Sequence, residues 1–261
     1  MPWPSNTYYQ EAIQTPAVCF SNSELKNGTI ETNRLGLPRP FSGNFDCVYK
    51  VNCSGRTYAV RWFLREFADQ RERYQKISEY LQLAKMPCMV GFDFIPQGIR
   101  VRGQWYPILK MEWLQGDLLH NHIKQNLNRS TTFAALANNW LELCESLKNA
   151  HIAHGDFQHG NIIIVNNQFK LIDYDGMFVP SLANRNSHEI GHPNYQHPRR
   201  NANHFGLFLD NFSAWVIYIS LVALSIDPNL WHSTGAGDEC LLFRQEDFQN
   251  PDTSRAFTIL E

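Results

Sequence analysis

Carboxylate and carboxamide side chains flank the apolar stretches of the segment HGDFQHGNIIIVNNQFKLIDYDG, residues 154–176. The pair Asn166-Asn167 predicts the two-residue turn of a β-hairpin, because asparagine tolerates the positive φ that such turns require. In the register that this turn sets, Asn161 and Asp173 emerge together at the open end of the hairpin, where opposed residues lie about 4.5–5.5 Å apart. The sequence therefore places an amide oxygen and a carboxylate within reach of one ion.

These residue types suit Mg²⁺ binding and proton transfer. Mg²⁺ prefers oxygen ligands and usually binds one or two side chains together with waters and substrate phosphates, so Asn161 and Asp173 are candidate metal ligands. Asp156 lies five residues before Asn161, in the loop that leads to the same end, where it could accept a proton from a hydroxyl nucleophile. Each residue alone is more typical of a turn or a strand end; together they predict metal-assisted group transfer.

The elements before this segment predict a small sheet with one helix. Two β-rich runs, residues 45–51 and 56–63, are separated by the turn residues 52–55 and predict a hairpin. Two further strands flank the Arg102-Gly103 turn. Between the two hairpins, apolar residues recur at helical spacing; they are Tyr74, Ile77 and Leu81.

The remaining elements are mainly helical. An amphipathic helix begins near Ser130, and a second, buried helix follows Asp210. We therefore expect an α+β fold with two lobes, a small antiparallel-sheet N-terminal lobe with one helix at residues 38–115 and a mainly helical C-terminal lobe at residues 116–261. Residues 1–37 contain prolines and no sustained period, so we expect them to form an extension that wraps the domain.

Composition and charge exclude several classes of protein. The 261 residues are 43% hydrophobic and 13% aromatic, which suffices for one large domain or two lobes. The net charge of −2 provides no basic field for nucleic acid. The six cysteines show no CxxC spacing, the N-terminus has no signal-peptide pattern, and no apolar run is long enough to span a bilayer. We expect a cytoplasmic protein that contacts neither membrane nor nucleic acid.

Several motifs, in their order along the chain, resemble those of the protein-kinase-like superfamily. HGDFQHGN at 154–161 is similar to the catalytic loop HxDxxxxN, and DYD at 173–175 is similar to the metal-binding DFG. FSGNFDCVY at 41–49 resembles a degenerate glycine-rich loop, and YAVR at 58–61 resembles the strand with the phosphate-binding lysine. GHPNYQHP at 191–198 resembles the end of an activation segment.

The resemblance implies a kinase that binds ATP and Mg²⁺. Asp156 would be the catalytic base, and Asn161 and Asp173, with Asp175, would hold the metal. The nucleotide would contact the glycine-rich loop, the next strand and the backbone of the hinge, which follows the gatekeeper Met111. The implied nucleotide-binding residues are Gly43, Val48, Ala59, Arg61, Met111, Glu112 and Trp113.

Two residues depart from the superfamily pattern at catalytic positions. Arg61 stands where the family has the phosphate-binding lysine, and Gln158 stands where serine/threonine kinases have a second lysine that touches the transferring phosphoryl group. Losing one such preorganised charge typically slows transfer by about 10²- to 10³-fold. Either Glu72 or Glu79 would pair with Arg61, and Asp210 would anchor the catalytic loop.

Three functions stay open at this point. The leading one is an atypical, bacterial-type serine/threonine protein kinase that acts on a protein substrate. The second is a pseudokinase that binds nucleotide or a signalling partner, favoured by Arg61 and Gln158. The third is a small-molecule phosphotransferase similar to choline and aminoglycoside kinases, favoured by the acidic pair Asp173 and Asp175, although the motif at 191–198 favours a protein substrate. We also expect the natural protein to continue beyond this sequence, because the resemblance calls for further C-terminal helices.

Overall fold

A computed structural model describes residues 3–41, 47–66 and 69–261. These residues divide into two units. The first consists of the described parts of Met1–Gln82 and Val90–Leu114, and the second consists of Leu83–Met89 and Gln115–Glu261. The residues before position 38, which the sequence predicts to be an extension, are therefore part of the first unit.

The first unit contains a five-stranded antiparallel sheet with the strand order β1-β2-β3-β5-β4. The strands are β1 Thr29–Ile30, β2 Cys47–Cys53, β3 Arg56–Trp62, β4 Phe92–Val101 and β5 Gln104–Glu112. Gly55, with a φ of 78°, lies in the β2–β3 turn, and Gly103, with a φ of 85°, lies in the β4–β5 turn. Both predicted hairpins are confirmed.

One face of this sheet is covered by the N-terminal part of the chain. Three helices precede β1: α1 Asn6–Ile13, α2 Pro16–Cys19 and α3 Ser23–Lys26. Tyr9 of α1 and Phe20 after α2 share a buried core with Tyr58, Val60 and Trp62 of β3. The sequence assigns these helices to an extension without regular structure, because helices of eight, four and four residues are too short to show a period.

The predicted helix of the first lobe is α4 Gln70–Ala84. Its Tyr74 stacks on Phe94 of β4 with ring centroids 5.2 Å apart, and it also contacts Phe63, at 5.6 Å. Ile77, one turn further along, is buried. The helix is thus fixed by an aromatic cluster, since its own apolar face is narrow.

The second unit combines a small sheet with six helices in its described residues. The sheet has the order β6-β7-β8, with β6 Asp117–Leu118, β7 Ile162–Val165 and β8 Gln168–Leu171. The helices are α5 Leu119–Gln125, α6 Thr131–Asn149, α7 Asn211–Ile226, α8 Leu230–Ser233, α9 Gln245–Gln249 and α10 Arg255–Leu260. The sheet-rich first unit and this mainly helical unit confirm the predicted α+β class.

The two long helices of the second unit begin where the sequence predicts them. α6 starts directly after Ser130, and α7 starts directly after Asp210. The indole Nε1 of Trp140 in α6 donates to the carbonyl oxygen of Ala214 in α7 at 3.0 Å, which joins the two helices. α7 is not buried all round, because Trp215 is 59% exposed. Of the helices that the structure describes, none combines the length and hydropathy that a bilayer crossing requires.

Candidate active site

The hairpin β7–β8 has the register that its turn residues predict. Asn166 and Asn167 have φ values of 50° and 61°, the left-handed conformation that this two-residue turn requires. Pairing continues one step past the strands, because the N–H of Ile172 donates to the carbonyl oxygen of Asn161 at 3.0 Å. Asp173 follows directly, so Asn161 and Asp173 leave the hairpin at the same end, as predicted. The strand pairs run from Ile162–Leu171 to Val165–Gln168.

The carboxylate of Asp156 is held by two donors in this region. Its Oδ1 accepts the backbone N–H of His192 at 2.7 Å, and its Oδ2 accepts from Nδ2 of Asn161 at 2.9 Å. The same Nδ2 also donates to the carbonyl oxygen of Asp156, at 3.0 Å. The amide nitrogen of Asn161 is therefore committed to Asp156, and its Oδ1 is the atom suited to bind a cation.

Asp173 and Asp175 follow the hairpin in an irregular conformation. Asp173 has a φ of 66°, which costs a residue with a side chain about 1–3 kcal/mol and is common where function fixes the backbone. The N–H of Asp175 points to Oδ1 of Asp173 at 3.5 Å. Among the residues that the structure describes, no group of three or more His, Cys, Asp or Glu side chains could hold a metal. A cation here would therefore depend on one or two carboxylates and an amide, which suits Mg²⁺ with phosphate ligands.

Asp210 anchors the loop that carries Asp156, as predicted. Its Oδ2 accepts the N–H of His154 at 2.5 Å, and its Oδ1 accepts the N–H of Gly155 at 2.7 Å. Burial raises the pKa of Asp210 to about 7, while these two N–H donors act to lower it. His154 also ties the loop to the hairpin, because its Nε2 donates to the carbonyl oxygen of Ile172 at 3.0 Å.

Gln158 does not extend from the loop in the way a catalytic lysine would. Its Oε1 accepts the N–H of Gly160 at 3.0 Å, so the side chain folds back onto its own loop. The cationic side chain of Arg200 is connected to the loop through Gln196. Nη1 of Arg200 donates to Oε1 of Gln196 at 3.3 Å, and Nε2 of Gln196 donates to the carbonyl oxygen of Gly155 at 3.4 Å. Arg200 thus places a positive charge near the loop, although it is not among the predicted site residues.

In the first unit, four of the predicted nucleotide-binding residues share one face of the sheet. Val48 of β2 pairs with Arg61 of β3, and Ala59 of β3 pairs with Met111 of β5. Directly opposed residues point to the same face. This face is opposite to the one that the N-terminal helices cover, because the buried Val60 lies between Ala59 and Arg61 in the strand.

Arg61 keeps its predicted place, and the identity of its acidic partner stays a prediction. The guanidinium carbon of Arg61 lies 5.4 Å from the ring centroid of Phe63. Glu72 forms an ion pair with Lys76 at 2.9 Å. Glu79 accepts from Nε2 of Gln75 at 2.8 Å.

In the predicted hinge, one backbone group has a partner within the sheet. The backbone N–H of Trp113 donates to the carbonyl oxygen of Thr57 at 2.9 Å, so it extends the sheet and is not available to adenine. The ring of Trp113 instead packs edge-on against Phe41, at 4.9 Å, and lies 5.2 Å from Nζ of Lys50. Glu112 is exposed, and Gly43 of the predicted glycine-rich loop lies outside the described residues.

Sequence reasoning missed the residues that join the 154–161 loop to the 191–198 segment. His159 and Tyr195 are both buried, and their side chains contact each other through Nδ1 and the hydroxyl oxygen. His192 contributes only its backbone N–H to Asp156, so its residue type carried no signal. The position of His159 inside the 154–161 motif, three residues after Asp156, was the available clue.

These observations define the class of the fold. The first unit has a five-stranded antiparallel sheet with packed helices, and in the mainly helical second unit Asp156, Asn161 and Asp173 lie close to the open end of a hairpin. Together these features define a protein-kinase-like fold.

Comparisons with known proteins agree with this class. The kinase PK-1 of Cydia pomonella granulovirus has a similar structure, with a TM-score of 0.53 and 13% identity over 77% of this chain and 70% of the viral chain. A Wee1-like protein kinase of Oryza sativa subsp. japonica is 28% identical over 140 residues, which are 51% of this chain and 25% of the rice protein. The match thus spans a quarter of the rice protein. No protein-family model matches the chain. The two likenesses support the protein-kinase-like superfamily.

Proposed function

We propose that this chain is an ATP- and Mg²⁺-dependent phosphotransferase that acts on a serine or threonine hydroxyl of a protein substrate. The observation that carries the proposal is the environment of Asp156. Its two oxygens accept hydrogen bonds from His192 and Asn161, which fixes the direction of the carboxylate. A carboxylate held in this way can accept the proton of an attacking hydroxyl group.

The proposed metal ligands are Oδ1 of Asn161 and the carboxylate of Asp173, with Asp175 as a further oxygen donor. Mg²⁺ would bridge phosphate oxygens and neutralise the charge that develops during transfer. The left-handed backbone of Asp173 supports this role, because such strain is retained where a side chain must point in one direction.

The proposed nucleotide face of the first unit consists of Val48, Ala59, Arg61 and Met111. Val48, Ala59 and Met111 would contact the base, and Arg61 would contact the phosphates. Arginine keeps the charge of the family's lysine but has a planar, longer head group, so we expect slower transfer than a lysine would support.

A protein substrate is favoured over a small molecule by the 191–198 segment. This segment is bonded to the 154–161 loop through His192 and Tyr195, which gives a surface beside Asp156 on which a peptide could lie. The choice of serine or threonine rests on the family resemblance. A cytoplasmic location also stays a prediction.

Calorimetric titration with ATP, with and without Mg²⁺, is the first test. We expect Mg²⁺-dependent binding that Asp173→Asn weakens and that Asp252→Asn, a change at an exposed carboxylate far along the sequence, leaves intact. Asp156→Asn should keep nucleotide binding and lose phosphotransfer to a generic protein substrate. Transfer by Asp156→Asn at the wild-type rate would refute the role of Asp156.

The conformation of Gln158 favours a second candidate, a pseudokinase that binds nucleotide or a partner protein without transfer. The side chain of Gln158 is uncharged and bonds to its own loop. This position therefore supplies no cation to the transferring phosphoryl group. The variant Arg61→Lys separates the two candidates. A clear gain in turnover would indicate a slow enzyme, whereas ATP binding without turnover in wild type and variant would indicate the pseudokinase.

A further inference from the structure

Four groups of the second unit form a continuous series of hydrogen bonds, and its two side chains, His159 and Tyr195, are buried. The backbone N–H of Leu241 donates to the hydroxyl oxygen of Tyr195 at 3.0 Å, and that hydroxyl group contacts Nδ1 of His159 at 2.5 Å. Nε2 of His159 contacts the carbonyl oxygen of Asp238 at 2.8 Å. The series joins three segments that are far apart in sequence.

The chemistry of the end groups fixes every proton in this series. A carbonyl oxygen only accepts, so Nε2 of His159 carries the hydrogen and donates to Asp238. Nδ1 of the neutral ring is then an acceptor, and the hydroxyl of Tyr195 must donate to it.

Tyr195, in the middle of this series of hydrogen bonds, belongs to the segment that contacts the carboxylate of Asp156. Tyr195 closes the short 3₁₀ turn Pro193–Tyr195, in which its N–H donates to the carbonyl oxygen of His192 at 2.9 Å. The N–H of His192 is the donor to Oδ1 of Asp156. Gly191 leaves little room for movement here, because a Cβ at this position would lie 2.7 Å from Oδ1 of Asp156. The Tyr195 ring and the His192 amide therefore belong to one short, tightly packed turn.

We propose that His159 and Tyr195 are positioning residues that hold the His192 amide against Asp156 through a hydrogen-bond relay. This inference rests on the proposed function of Asp156. It differs from a simple packing role, in which the two side chains would only fill buried space. The relay needs an acceptor and a donor at position 159, whereas packing needs an apolar volume.

Three variants separate the relay from packing. Tyr195→Phe keeps the ring and removes the hydroxyl group; His159→Leu keeps an apolar volume and removes both polar atoms; and His159→Gln keeps one acceptor and one donor. Because small misplacements of reacting groups can cost about 10²-fold in rate, we expect kcat to fall about 10- to 100-fold in the first two variants. The KM for ATP should stay within about threefold of wild type, and His159→Gln should retain more activity than His159→Leu.

Hydrogen exchange of the His192 amide tests the relay without any turnover. Loss of one hydrogen bond of about 1 kcal/mol predicts exchange about fivefold faster in Tyr195→Phe and His159→Leu, with His159→Gln closer to wild type. Tyr218→Phe, a change on α7, is the control and should leave exchange and kcat unchanged. If wild type lacks phosphotransfer, the proposed function fails while the exchange result still tests the relay. Wild-type exchange in both disrupting variants, or His159→Leu matching or exceeding His159→Gln, would overturn the relay.

Discussion

Replacing Gly155 by alanine probes the tight approach of two backbone segments beside Asp156. Gly155 has a φ of 83°, and a Cβ at this position would lie 2.1 Å from the carbonyl oxygen of Gly176. The obstacle is backbone, so it cannot rotate away as a side chain would. The N–H of Gly155 also donates to Asp210 at 2.7 Å, which holds Gly155 in place from the other side.

The expected loss of stability follows from these two features. A left-handed conformation costs a non-glycine residue about 1–2 kcal/mol, and inserting an extra carbon into a packed site costs about 1–3 kcal/mol. Gly155→Ala should therefore lower the free energy of unfolding by about 2–5 kcal/mol. Gly235→Ala provides the matched control in the same unit, because Gly235 has a φ of 69° and its Cβ would lie 3.7 Å from the nearest atom, in Arg244. It should cost about 1–2 kcal/mol, from the backbone alone.

Urea unfolding of the wild type and the two variants, followed by tryptophan fluorescence, measures the difference. The transition midpoint of Gly155→Ala should lie below that of Gly235→Ala, with similar slopes if the variants unfold in the same way. Equal midpoints for the two variants would refute the reasoning from the Gly176 carbonyl, because only the backbone term would then be present.

Three further predictions concern pH, the hairpin and the helix contact. Burial lowers the pKa of His159 to about 4, against about 6.5 in an unfolded chain. The stability that this side chain contributes is therefore complete above about pH 6.5 and is lost as the pH falls towards about 4. Between about pH 8 and about pH 5, the free energy of unfolding in urea should fall by about 2 kcal/mol more for wild type than for His159→Gln. Equal losses in the two proteins would contradict this. Asn167 has a φ of 61°, which glycine adopts freely and valine does not. Asn167→Gly should therefore leave thermal stability within about 0.5 kcal/mol of wild type, and Asn167→Val should lower it by about 1–2 kcal/mol. Similar melting temperatures for both variants would count against the turn assignment. Trp140→Phe should cost at least about 1 kcal/mol in urea unfolding, since the bond to Ala214 is lost, and no loss would show that this bond contributes nothing.

The parts of the fold that the sequence predicted well are those fixed by local rules. Asn166 and Asn167 set the turn, and the turn sets the register that brings Asn161 to the same end as Asp173. Strand alternation likewise predicted that Ala59 and Arg61 share a face. Periods of two residues in strands and adjacent turn residues are visible over a short window, so no distant contact was needed to read them.

The parts that the sequence did not predict depend on contacts between distant segments. Tyr195 lies 36 residues from His159, and a motif comparison gives each a place without joining them. The backbone groups of Glu112 and Trp113 were predicted to contact adenine, and the sheet continues far enough to use one of them, the N–H of Trp113. The two cases have one cause: the sequence shows which backbone and side-chain groups can form hydrogen bonds, and the tertiary structure decides which partner each group takes.

The layer formed by the N-terminal helices has a consequence for where the first unit can be cut and what it can bind. A chain shortened to begin at residue 38 would lose Tyr9 and Phe20 and expose the apolar side chains of Val60 and Trp62 to water. Such a chain would have an exposed apolar surface and would tend to aggregate. In the intact chain this face is already occupied by the protein itself, so the sheet can offer only its other face to a ligand. Residues 3–37 thus restrict the sheet to one exposed face.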